Sequence, residues 1–261
     1  MTYAVFKMWD QARQSLIRRH EFYVSEARKR LLSQFENMET EADEAAEKWL
    51  EESGQNFDPD HHDPGDFYER AHEVGIEFYG LLEEMQGNTR LSVVAGMFHE
   101  WDKQLREWLV REIERSIPGG NAGAKIWSAN FDQIIDLLES FGWPIRNTDY
   151  FRKLDACRLV VNVYKHGKGS SLDDLKTRFS EYLPDPFSES GHALWTTDFR
   201  DHTHLKVSDE QLQGFSDAVV AFWLAVPEDI YDTQIGEVPD WFGKAVQKDQ
   251  DARNQQRTKR D

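Results

Sequence analysis

Apolar positions recur at three- and four-residue spacing along most of this chain, the signature of amphipathic helices. Over about the first 35 residues, Val5, Phe6, Trp9, Leu16, Phe22, Val24, Leu31, Leu32 and Phe35 follow that spacing and predict one long helix. Residues 36–52 are strongly acidic, with Trp49 and Leu50 as the large apolar anchors, and read as a mostly solvated second helix. Gly54, Pro59, Pro64 and Gly65 break the pattern and mark a loop over 53–66. Helical spacing returns over 67–86, and Gly87-Asn88 reads as a turn. The strongest helix follows over 89–116. Leu91, Val94, Phe98, Trp101, Leu105, Trp108, Leu109 and Ile113 trace one face, with His99, Glu100, Arg106 and Glu107 off it.

The run Pro118-Gly119-Gly120-Asn121-Ala122-Gly123 predicts a flexible break and a subdomain boundary. A helix is expected over 126–141, ended by Gly142-Trp143-Pro144, and Thr148 or Asn147 can N-cap the helix after it. A short helix is expected over 171–182. Residues 184–207 look irregular, with room for a short β-hairpin near 193–207 that pairs 193–197 with 204–207. Ser208-Asp-Glu-Gln211 has the form of a capping box and opens a helix over 210–225, whose Phe215, Val219, Phe222 and Trp223 face the core together with Val226. From Pro227 the chain reads as loop, then as a charged, frayed end. The fold class is all-α, a helical bundle. It divides into an N-terminal region 1–117, a second helical region 124–230 and a flexible tail 231–261.

The chain has 261 residues, enough for a real core, and nine tryptophans to supply burial. One cysteine, Cys157, excludes an intramolecular disulfide and reads as a small buried hydrophobe. No apolar run approaches the twenty residues of a membrane span, and no signal peptide is evident, so a cytoplasmic, membrane-free protein is expected. The net charge of −17 opposes casual nucleic-acid binding, because affinity there comes mainly from neutralising phosphates. The charge is uneven, however. Residues 1–35 hold seven basic against three acidic side chains, and residues 244–261 hold six against three. These islands read as solvated faces, or as contacts to RNA or to a second copy. Two loops concentrate metal-type side chains: Asp58, Asp60, His61, His62 and Asp63, and the run Asp201-His202-Thr203-His204. Neither has a zinc-type ligand spacing, and no metal or cofactor is expected. Phosphate-loop, hydrolase-elbow, zincin and dinucleotide motifs are absent from the sequence.

The chemistry concentrates in Arg158-Leu-Val-Val-Asn162-Val-Tyr-Lys165-His166-Gly167. At about 100° per residue, Arg158, Asn162 and His166 form one polar stripe, with Lys165 falling beside Arg158. Leu154, Cys157, Leu159, Val160, Val161, Val163 and Tyr164 cover the rest of the circumference. A helix apolar all round is usually buried, and polar side chains within it need partners or a purpose. A fixed cation, an amide and a titratable imidazole suit phosphate handling and proton movement. The same residues also fit satisfied core polars followed by a cationic C-cap at Gly167.

Asn-x-x-Lys-His-Gly at the end of an apolar helix, with an upstream arginine, resembles the signature helix of HEPN-type proteins. Lys168-Gly169-Ser170-Ser171-Leu172-Asp173-Asp174-Leu175 resembles the loop and helix that follow it in many bacterial members. The resemblance covers residues 149–182 and makes 124–230 the HEPN-like region. It implies an all-helical fold and, in many members, a metal-independent ribonuclease that works as a dimer in toxins and phage defence. Others are inactive or serve as binding modules. The usual signature spaces arginine and histidine by four to six residues. Here seven residues separate Arg158 from His166.

The expected function is therefore a metal-independent endoribonuclease leaving a 2′,3′-cyclic phosphate, as a toxin or anti-phage effector. Arg158, Asn162, Lys165 and His166 are its candidate catalytic residues. His166 would be the general acid or base, Arg158 and Lys165 would neutralise the phosphate, and Asn162 would orient it. Expected partners are RNA (tRNA or mRNA), a second copy in a homodimer, and an antitoxin or other defence protein. The alternative is a catalytically silent module that binds RNA, a nucleotide or a protein.

Overall fold

In the computed structural model, residues 4–184 and 200–258 are described, with side-chain surroundings given as far as residue 255. The architecture is all-α with one two-stranded sheet. In chain order the elements are β1 (Ala4–Lys7), α1 (Asp10–Arg30), α2 (Met38–Gly54), α3 (Pro64–Ser116), α4 (Asn121–Ser128) and α5 (Phe131–Ser140). They continue with α6 (Asp149–His166), α7 (Ser170–Arg178), α8 (Asp209–Ala225), β2 (Asp229–Tyr231) and α9 (Asp240–Thr258). Two compact units result, one of residues 1–22 and 94–261, the other of residues 23–93. This division differs from the expected boundary at Pro118–Gly123. It falls inside α1 and α3.

In the smaller unit, α2 and α3 meet at Gly75, where a Cβ would lie 3.2 Å from the Ala42 carbonyl oxygen and 3.3 Å from the Ala46 methyl. Small residues on both helices allow that approach. Aromatic contacts among Trp49, Phe57, His62 and Phe67 close the end where α2 passes to α3. The backbone stays helical through Gly87-Asn88, where the sequence suggested a turn. A single glycine costs only about 1 kcal/mol in a helix, which the apolar positions on either side outweigh.

The larger unit has its core in α3, α5, α6 and α8. Trp101 meets Phe222 edge-on with ring centres 5.1 Å apart, and Phe222 also packs on Trp143 and Trp223. Along α6, Leu154, Cys157, Leu159, Val160, Val161 and Val163 are all buried. The predicted capping box at Ser208 forms, its hydroxyl accepting from Gln211 N–H. A second box was missed. Asn130 and Gln133 cap α5 and split the single helix expected over 126–141.

Two other expectations are corrected, and a third lies partly outside the described residues. The first residues are not helical: β1 pairs antiparallel with β2, so the strand pairing joins the chain's beginning to 229–231. Of the hairpin expected near 193–207, residues 193–197 lie outside the described residues, and His202–His204 forms a short 3-10 turn. Residues 240–258 are helical rather than frayed. Phe242, Ala245 and Asp249 of α9 are buried, and Asp249 accepts the backbone N–H groups of Asn121 and Ala122 at 3.0 and 2.9 Å, capping α4. Arg106, expected off the apolar face, is also buried. Its Nη1 donates to the carbonyls of Ile126 and Ala129 at the end of α4, while Nε and Nη2 bond Asp102.

Within the same unit, His20 is buried, with Nε2 3.1 Å from the Ser216 carbonyl and 2.9 Å from its hydroxyl. Burial lowers its pKa from 6.5, opposed by the Ser216 carbonyl and by Asp217. A depressed histidine contributes stability that is present above its unfolded pKa and is lost as pH falls through the folded value. Thermal denaturation should therefore show a melting temperature that declines with acidification below about pH 6.5, a decline that His20→Gln makes shallower. A second prediction concerns Gly87, where an added Cβ would meet nothing within 4 Å. Gly87→Ala should raise stability by about 0.5–1 kcal/mol in denaturant titration.

Candidate functional site

The C-terminal turn of α6 and the loop into α7 carry the candidate residues. Thr148 caps the start of α6, its hydroxyl accepting from Phe151 N–H at 3.3 Å. Gly167 ends the helix with φ +69°, a left-handed backbone suited to glycine. Its N–H donates to the Val163 carbonyl at 2.8 Å. A side chain at 167 would also lie 3.3 Å from the imidazole of His202. Glycine is thus required there by conformation and by the neighbouring ring.

The four predicted residues divide into two groups. Arg158 is mostly buried and engaged. Its Nε and Nη2 donate to Asp155 Oδ1 at 3.0 and 2.6 Å, and its guanidinium lies 5.3 Å from the centre of the Phe131 ring. Asp155 is only 4% exposed, and its second oxygen accepts from Arg178 of α7. One carboxylate therefore holds two guanidiniums and ties α6 to α7. Asn162 is half-buried and donates to the Ser171 hydroxyl at 3.3 Å, a second tie between the same helices. Lys165 and His166 are exposed and make no side-chain hydrogen bond or ion pair among the described residues. The structure therefore joins Arg158 to Asp155 and Arg178, and Asn162 to Ser171. Lys165 and His166 end α6, and the chain passes from them through the exposed Lys168 to α7, whose start has no side-chain cap.

Asp155, Arg178, Ser171 and His202 were missed as members of this region. Asp155 could have been read from the Asp-x-x-Arg spacing to Arg158, an i,i+3 ion pair. Nothing in the sequence foretells His202 at Gly167. That ring is partly buried, and its Nδ1 is enclosed without a hydrogen-bond partner among the described residues.

Cys157 is fully enclosed, and burial pushes its thiol far above the usual range, which removes it as a nucleophile. Asp201 accepts from the hydroxyl and N–H of Thr203, the largest reasons its pKa is held down to about 2, with His204 adding to them. In the other acidic loop, Asp58 and Asp63 accept backbone N–H groups two residues on. These are turn bonds, and among the described residues no three His, Cys, Asp or Glu side chains converge on one point. No described helix is long and apolar enough to cross a membrane.

The division between engaged and exposed residues is testable by stability. Asp155→Ala leaves Arg158 half-buried without its carboxylate and should cost about 2–4 kcal/mol in denaturant unfolding. His166→Ala, at an exposed helix end, should shift stability by no more than about 0.5 kcal/mol. No protein-family model, curated protein or solved structure matches this chain.

Proposed function

We propose that this chain is a metal-independent RNA endonuclease of HEPN type, acting as a toxin or anti-phage effector. The carrying observation is the exposed pair Lys165–His166 on the rim formed by the end of α6, Lys168 and the uncapped start of α7. Helix N-termini favour anions, and lysines neutralise phosphate, so this rim suits a bridging phosphate.

In the reaction, the His166 imidazole takes the proton of a ribose 2′-hydroxyl. The freed oxygen attacks the adjacent phosphorus, and the bond to the 5′-oxygen breaks. The products are a 2′,3′-cyclic phosphate and a 5′-hydroxyl, whose oxygen takes a proton from an acid. A second copy in a symmetric homodimer supplies that acid through its own imidazole. Lys165 neutralises charge growing on the phosphorane. Arg158, bonded to Asp155 and stacked on Phe131, acts as a positioning residue that holds α6 against α7. Asn162 does the same through Ser171. An antitoxin or other defence protein would hold the activity in check.

A second reading, a silent module that binds RNA, a nucleotide or a protein, is favoured by the engagement of Arg158 with Asp155 and by the −17 charge. Incubation of the protein with total RNA in EDTA separates the two. Cleavage leaving cyclic phosphate ends, reduced at least 100-fold by His166→Ala at unchanged melting temperature, is expected for the enzyme. RNA left intact by the parent protein, or cut equally by the variant, sinks the catalytic reading.

A further inference from the structure

A cleft of about 560 Å³ lies away from the α6 residues in sequence, lined by Lys7, Trp9, Gln11, Arg111, Glu112 and Arg115 among others. Ligand pockets for small molecules run from roughly 300 to 1,000 Å³, so one nucleotide fits this volume. Its walls are β1, the start of α1 and the C-terminal part of α3. They are tied together by backbone acceptors: Trp108 Nε1 donates to the Lys7 carbonyl at 3.1 Å, and the Ser116 hydroxyl donates to the Val5 carbonyl at 3.1 Å.

The floor is a recessed carboxylate. The Glu112 side chain is only 7% exposed and accepts from Arg115 at 2.7 Å and from the Lys7 N–H at 2.9 Å. Arg111 Nε stands 3.7 Å from its other oxygen. Glu112 is thereby neutralised and anchors both arginines, one helical turn apart, with their outer ends in water: the Arg111 side chain is 63% exposed. Three cations against one carboxylate leave the lining at +2, or +1 counting Asp229, 3.5 Å from Lys7. This is a cationic cleft on a chain of net charge −17.

Beside the cations stands Trp9, an indole 69% exposed, where most tryptophans give their area to a core. An exposed indole next to paired guanidiniums matches an aromatic base joined to a phosphate, since bases stack on indoles and arginines grip phosphate in bidentate fashion. Gln11 adds an amide on the same helical turn that can donate and accept toward a base edge.

We infer that this cleft binds a nucleotide unit, with the base stacked on Trp9 and the phosphate held by Arg111, Arg115 and Lys7. The unit comes either from a free mononucleotide or from the 5′ end of an RNA strand. The inference rests on the cleft alone and does not need the ribonuclease reading.

Isothermal titration of the full chain in EDTA, with adenosine 5′-monophosphate, adenosine, inorganic phosphate and a 5′-phosphorylated oligoadenylate, tests it. Adenosine monophosphate should bind with Kd below about 1 mM, at least tenfold tighter than either half alone. Trp9→Ala and Arg111→Ala should each weaken it about tenfold, Trp9→Tyr should retain most of it, and His166→Ala should leave it unchanged. All three positions are exposed, so these variants fold. Much tighter binding of the oligonucleotide assigns the cleft to RNA ends, and equal binding assigns it to free nucleotide. Absence of mononucleotide binding at millimolar concentration overturns the inference. So does phosphate binding as tightly as the nucleotide, or affinity untouched by both Trp9→Ala and Arg111→Ala.

Discussion

A carboxylate buried inside an apolar helix governs the geometry of the candidate site. A carboxylate in that position needs partners, because leaving a buried charge unpaired costs several kcal/mol. Arg158 from the same helix and Arg178 from α7 supply them. Meeting that requirement brings α7 back along α6, where Asn162 bonds Ser171, and the connection between them must then turn within a few residues. Gly167 and Gly169, both at positive φ, make that turn. The exposure of Lys165 and His166 follows: they occupy the last turn of a helix whose remaining circumference is spent on packing. The electrostatic tie and the exposed rim are thus two ends of one constraint.

Other internal charges in the larger unit do related work. Arg106 satisfies carbonyls at the end of α4, Asp249 satisfies N–H groups at its start, and Arg13 donates to the Val226 carbonyl after α8. Each closes a helix terminus whose backbone groups would otherwise be buried unpaired. For Asp249 burial alone would raise the pKa, yet the bonds from Ala122 and Asn121 outweigh it and hold the carboxyl ionised. Exposed cationic side chains also stand at the end of α6, as Lys165, and at the cleft beside Trp9, as Arg111.

Helical periodicity carried most of the fold. Strong positions such as Trp101, Leu105 and Trp108 are buried as the spacing implied, and the caps at Thr148 and Ser208 form. The misses have local causes. Gly87 and Asn88 suggest a turn, but a turn needs more than one weak helix former when both flanks keep the same register. Asn130-x-x-Gln133 has the form of a capping box in the sequence, but the helical spacing that runs on from Ile126 to Leu138 conceals the break. The charged end concealed Phe242, Ala245 and Asp249, whose helical spacing is visible but whose burial required α4 as a partner.

The sequence by itself determined the fold class, the limits of α2, α6 and α8 to within about two residues, the buried state of Cys157 and the polar stripe Arg158–Asn162–His166. These follow from local backbone preference and from hydrophobic period, which neighbouring residues set among themselves. Only the tertiary structure decided which stripe residues were already engaged. Arg158 turns to Asp155 and Phe131, and His202 arrives at Gly167 from 35 positions away. The cleft at Trp9 likewise exists only because β1 is fastened to the far end of α3, more than a hundred residues along. Contacts of that range depend on how packed elements meet, and a sequence period carries no record of it.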